Sequence, residues 1–201
     1  MPQSTDTRYN HQRLAAIRSA AAVFADKGYH GASTADIAAH LGIKQGSLYY
    51  YFKSKEEALS EVCLLGIRDY VKRMSVIADS DQPFAAQLLA TVSSHLMSYR
   101  ETNEALKVYN DERLYLPEEK RTKLKTLGSR YRQQLEKIFE DARSAGVIRT
   151  TVDCHFAAQS VIGLCNSWGH LIVRDPELDV FILAQQCTDL VLQGVTAAQS
   201  N

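Results

Sequence analysis

Residues 33–55 read STADIAAHLGIKQGSLYYYFKSK, and their spacing predicts two short helices joined by a tight turn. Ala38 stands where the helices would cross, and only a small side chain fits there. Gly42 follows four residues later, where the turn needs a positive φ that costs glycine little. Leu48 comes six residues after that and would plug the gap between the helices, joined by Ile37 and Ile43. Together these steric constraints mark a helix-turn-helix, a device that sets its second helix in the major groove of DNA.

Upstream, Leu14, Ile17, Ala21 and Phe24 share one face of a helix expected over 10–27, with Gly28 as the residue that ends it. Ser33 caps the next helix, with Asp36 at the capping-box position. The third is expected from Gln45 to Phe52. Ser54 and Glu57 repeat the capping pattern for a fourth helix running to about Ala78. Pro83, Pro117 and Pro176 each suit a first helical position, and helices follow near 84–101, 103–115, 118–144, 153–173 and 176–195. The long one has an inner face of Leu124, Leu127, Tyr131, Leu135, Ile138 and Ala142 and is closed by Gly146. No run alternates as a strand would.

The expected fold is therefore all-α, with about nine helices. An N-terminal three-helix helix-turn-helix DNA-binding domain covers 10–55. A connecting helix covers 56–79, and a C-terminal helical ligand-binding and dimerisation domain covers 80–196. Residues 1–8 and 197–201 are expected to be disordered.

A net charge of zero hides an asymmetry, because residues 1–55 carry seven Lys/Arg against three Asp. The resulting +4 on the head and −4 on the body suit a phosphate-binding module on a solvated regulatory body. Cys63, Cys154, Cys165 and Cys187 form no CxxC pair and sit in apolar helical contexts, as reduced buried residues do. Residues 1–20 lack the apolar core of a signal peptide. Residues 154–173 lack formal charge, but Gln159, Asn166, His155 and His170 argue against a membrane span. A cytoplasmic protein without membrane attachment is expected.

On the third helix, Leu48 and Phe52 share a face suited to burial. The opposite face presents Gln45, Gly46, Tyr49 and Tyr50, and Ser47 is a further candidate DNA contact. Gln45 can bond bidentately to adenine, and Lys44 can reach a guanine or the backbone. Gly46 lets the backbone approach the groove, and the two tyrosine hydroxyls reach toward phosphate or a thymine methyl. The Ser33–Thr34 helix start offers amides and a hydroxyl to a phosphate. Lys55, at the positive end of a helix dipole, becomes favourable once it shares an anion with that helix start.

This stretch resembles the TetR family of bacterial one-component regulators. The resemblance is carried by Thr34, Ile37, Ala38, Leu41, Gly42, Ile43, Gly46, Ser47, Leu48, Tyr49, Tyr51, Phe52, Lys55, Glu56 and Leu59, with Phe24 and Gly28 upstream. The signature covers roughly residues 11–70. It implies a repressor that binds a palindromic double-stranded operator as a homodimer and is released by a small-molecule effector. It also implies that Tyr49 and Lys55 contact phosphate. NSWGHLIVRDPE at 166–177 is similar to family members that sense acyl-CoA or related lipid-derived ligands, with aromatic drug pockets as the competing likeness.

Helices near 153–173 and 176–195 are apolar on several sides, with Asp189 the one formal charge in 180–196. Such helices need cover on several sides, most simply from a second copy in a four-helix bundle, with Gly163 and Gly169 allowing close approach. Candidate effector contacts are His95, Tyr99, Tyr109, Asn110, Arg113, Tyr131, Asn166, Trp168 and His170, polar-tipped or aromatic groups at positions that otherwise read apolar. No nucleophile–base set, metal spacing or phosphate loop is present, so neither a cofactor nor an enzyme is expected. A DNA-binding regulator with no small-molecule effector, and an all-helical enzyme, are the alternatives.

Overall fold

A computed structural model of the chain describes residues 4–196, which form nine α-helices and one short 3₁₀ turn. The helices are α1 (Ser4–Gly31), α2 (Thr34–Leu41), α3 (Gln45–Leu48), α4 (Lys55–Ala78), α5 (Phe84–Glu101), α6 (Asn103–Glu112), α7 (Glu118–Ser144), α8 (Cys154–Arg174) and α9 (Val180–Val195). The 3₁₀ turn is Arg113–Tyr115. Among the described residues the one β-type pairing is an isolated bridge between Ile148 and Thr196.

The chain divides into two compact units. Of the described residues, the first comprises 4–68 and 102–125 and the second 69–101 and 126–196, so α4 and α7 each contribute to both.

In the first unit α1 buries Ala16, Ile17, Ala20, Ala21, Val23 and Phe24. Leu14 remains half-buried at the margin of that face. Each fully buried large apolar side chain, such as Phe24, contributes about 1.5–3 kcal/mol. Gly28 breaks the helix with φ 69° and ψ 166°, and the chain makes one more turn to Gly31. Helix α6 lies along α1 and buries Ala105, Leu106 and Val108. Gly66 makes its close approach to α4 possible, since a Cβ there would stand 2.6 Å from the Ala105 carbonyl oxygen.

In the second unit α5 packs on α8 and α9. Its buried residues Phe84, Leu88, Val92 and Leu96 join Leu135, Ile138 and Phe139 of α7 and Val161, Cys165 and Ile172 of α8. The Phe84 and Phe139 rings meet edge-on at 5.3 Å. Gly146, at φ 72°, ends α7 as expected, while the 3₁₀ turn replaces the last residues assigned to α6.

Four expectations are corrected. Residues 4–8 are helical, not disordered, because α1 begins at Ser4; 197–201 lie outside the described residues. Helix α3 stops at Leu48, and 49–51 continue as tight turns in which Tyr50 N–H donates to the Ser47 carbonyl and Tyr51 N–H to that of Leu48. Helix α9 starts at Val180 instead of at Pro176, because the Asp179 carboxylate accepts from the Phe181 and Ile182 amides and fixes the start there. Gly169 packs inward, where any Cβ would overlap the Tyr99 ring, so it does not serve approach by another chain.

Candidate DNA-reading surface and polar core

The reading head is built by capping. Ser33 Oγ accepts from the Asp36 amide at 3.1 Å, and the Asp36 carboxylate accepts from the Ser33 amide at 2.8 Å. Lys27, hydrogen-bonded at 2.6 Å, and the Ser33 donors together hold the Asp36 carboxyl down to about 2. Gly42 takes φ 77°, and the Ile43 amide donates to the Ala38 carbonyl, so the turn closes as the sequence demands. Ile37, Ala38, Leu48 and Phe52 are buried beneath it.

That burial leaves the opposite face open. Lys44, Gln45, Gly46 and Ser47 are exposed, and Tyr49 and Tyr50 are 54% and 70% exposed. Nothing lies within 4 Å of where a Gly46 Cβ would stand, so a ligand can approach the backbone there. Gln45 Nε2 donates to Thr34 Oγ1 at 2.9 Å, joining the starts of α2 and α3. Ser33 is exposed and Thr34 half-buried.

Lys55 stands apart from the others. Its Nζ donates to the carbonyls of Tyr29 at 2.8 Å and Ala32 at 2.9 Å, and lies 4.4 Å from the Tyr29 ring centroid. These partners neutralise the cost of a cation at a helix start and leave one of the three ammonium hydrogens for an anion. Tyr29 itself, which the sequence reading does not single out, has its hydroxyl pushed up by burial and then by Glu56.

The candidate effector residues fall into two groups. In the first unit, Arg113 Nη1 donates to the Tyr109 carbonyl at 3.0 Å and to the Asn110 carbonyl, closing the end of α6. Its guanidinium lies 5.1 Å from the Tyr109 ring centroid. Burial pushes the Tyr109 hydroxyl up, with Arg113 opposing.

In the second unit the buried His95, Tyr99 and Tyr131 and the half-buried Asn166 form one array. Asn166 Oδ1 accepts from His95 Nε2–H at 3.0 Å and from the Tyr99 hydroxyl at 3.1 Å. His95 Nδ1 then accepts from the Tyr131 hydroxyl at 3.0 Å. Burial pulls His95 down to about 4, opposed by its bond to Asn166, so the imidazole is neutral near pH 7. Burial likewise pushes the Tyr131 hydroxyl well up.

Tyr70 completes the array, its ring 5.4 Å from that of His95 and 5.1 Å from that of Tyr131. Tyr70 is not among the residues expected from the sequence, although it shares one face of α4 with Ile67, Val71 and Met74. His170 is exposed with its ring 6.0 Å from Tyr99, and Trp168 is half-buried. Among the described residues no group of three or more His, Cys, Asp or Glu is placed to hold a metal ion. The four cysteines are free and buried, and burial raises the Cys63 thiol to about 12.

A capped helix-turn-helix head joined by helices to a second helical unit defines a DNA-binding transcriptional regulator. Residues 16–62 match the model of bacterial regulatory proteins of the tetR family, and 81–195 match the tetracyclin repressor-like C-terminal domain. The chain belongs to the TetR family of bacterial regulatory proteins.

It is 28% identical over 200 residues to the HTH-type transcriptional repressor KstR2 of Rhodococcus jostii, covering 98% of this chain and 97% of that one. The structure of the TetR family regulator PfmR from Thermus thermophilus is similar with a TM-score of 0.82 and 26% identity, over 89% of this chain and 97% of that one. The regulator FadR from Bacillus subtilis, solved in complex with stearoyl-CoA, shares the fold with a TM-score of 0.74 and 24% identity, over 90% and 98% of the two chains. Among the described residues no helix is long and apolar enough to cross a membrane.

Proposed function

We propose that this repressor leaves its operator when an acyl-CoA or another lipid-derived ligand enters the second helical unit. The observation that carries this reading is the array of His95, Tyr99, Tyr131 and Asn166, a set of neutral hydrogen-bonding groups linked to one another within the second unit. Neutral hydrogen-bonding groups that can exchange their internal bonds for a ligand's suit a ligand that is apolar along its length and carries an uncharged oxygen. The stearoyl-CoA on the Bacillus subtilis neighbour supports the same class.

The division of labour follows the sequence. Residues 10–55 read DNA, 56–79 connect, and 80–196 bind effector and dimerise. DNA contacts come from Ser33, Thr34, Lys44, Gln45, Gly46, Ser47, Tyr49, Tyr50 and the remaining hydrogen of Lys55. Because α4 is one helix from Lys55 to Ala78, a shift of its later turns is carried to the lysine at its start. Effector binding thus selects a state of lower DNA affinity.

The partner copy covers α8 and α9. Phe156, Leu171 and Val173 on α8, and Phe181, Ile182 and Leu190 on α9, are 43–71% exposed in the single chain. Gly163, exposed with nothing near its Cβ position, lets another helix come close. The protein works in the cytoplasm and without catalysis.

The test is a selection of purified protein against random duplex DNA at two salt concentrations, followed by titration of the winner with stearoyl-CoA, free stearate and coenzyme A. A near-palindrome with salt-dependent affinity, released by the thioester alone, is expected. Release by none of the three would remove the acyl-CoA class.

A further inference from the structure

Helix α3 contains only Gln45–Leu48, and the tyrosines that follow it sit on tight turns. A side chain on such a segment keeps rotational freedom that must be given up on binding. Tyr50 is 70% exposed, yet its ring is not alone. Tyr9, on the early part of α1, meets it edge-on at 5.4 Å with an interplanar angle of 90°. The Tyr9 ring also lies nearly parallel to that of Tyr51, at 6.5 Å and 22°. Tyr50 and Tyr51 complete the triangle, edge-on at 5.4 Å.

We propose that Tyr9 is a positioning residue for operator recognition, a buttress from α1 that holds the Tyr50 ring in the orientation that reads DNA. Tyr9 precedes the stretch matched by the family model, which begins at residue 16. It stands on the regular helix that starts at Ser4, while Tyr50 stands on a turn, so the ordering runs from α1 to the reading face. The contact geometry uses ring edges and faces only, so phenylalanine at position 9 serves equally well. The inference rests on the proposed placement of Tyr50 against DNA.

The experiment is a double-mutant cycle on the full chain, with the operator duplex recovered by selection and a scrambled duplex of equal length as probes. Tyr9→Leu and Tyr9→Met are expected to weaken operator binding about three- to tenfold, the worth of an aromatic pair. Affinity for the scrambled duplex and the salt dependence stay unchanged, because no phosphate contact is lost. Tyr9→Phe retains full affinity. In a Tyr50→Leu background, Tyr9→Leu costs nothing further. The proposal is overturned if Tyr50→Leu weakens the operator complex while both Tyr9 substitutions leave it intact, or if the two effects add in full. If Tyr50→Leu itself changes nothing, the placement of Tyr50 against DNA fails first, and the two failures are told apart.

Discussion

Lys55 Nζ closes the end of α1 by donating to the Tyr29 carbonyl at 2.8 Å while its charge lies over the Tyr29 ring. The lysine that the family resemblance gives to phosphate is therefore also an internal tie, and the two roles can be separated. Lys55→Met should lower stability by about 1–2 kcal/mol, because the Tyr29 and Ala32 carbonyls lose their donor. It should also reduce the salt dependence of DNA binding by about one phosphate contact. Denaturant unfolding reads the first and affinity at several salt concentrations the second; an unchanged salt slope would leave Lys55 a purely structural tie.

His95 makes stability depend on pH. Its folded pKa of about 4 lies below the ordinary 6.5, so between these values the unfolded chain binds a proton that the native chain does not. Stability therefore rises with pH across that window, by about 3 kcal/mol, and is lost as pH falls through it. Urea unfolding from pH 4 to 7 should show the slope, and His95→Leu should flatten it while lowering stability near pH 7.

Two glycines mark where backbone meets a neighbour. Gly66→Ala sets a methyl 2.6 Å from the Ala105 carbonyl oxygen, and Gly169→Ala drives one into the Tyr99 ring. Each should destabilise by about 1–3 kcal/mol. Gly169→Ala should in addition alter the effector response, because moving the ring breaks its hydrogen bond to Asn166. Equal effector response at reduced stability would dissociate Tyr99 from ligand recognition.

Phe181 is 69% exposed on α9. Phe181→Glu should leave the chain folded but monomeric in sedimentation, and should cost roughly 100-fold or more in operator affinity as bivalent binding is lost. A dimer that survives this change would move the interface elsewhere.

Removing the Tyr49 hydroxyl tests its phosphate contact. Tyr49→Phe should weaken operator and scrambled duplexes alike by roughly tenfold or less, with unchanged thermal unfolding, since the ring is 54% exposed.

The sequence by itself determined the all-helical plan and the buried plug of Ile37, Ala38, Leu48 and Phe52. These follow from local physics: apolar spacing, caps at Ser33 and Ser54, and positive φ at Gly42 and Gly146 act within a few residues. Only the tertiary structure decided which polar residues meet. Asn166 lies 71 residues beyond His95, Lys55 is 26 beyond Tyr29, and Tyr50 is 41 beyond the Tyr9 that supports it. It also turned Gly169 inward and halted α3 at Leu48. No local period encodes such pairings, because they depend on where separately formed helices come to rest against one another.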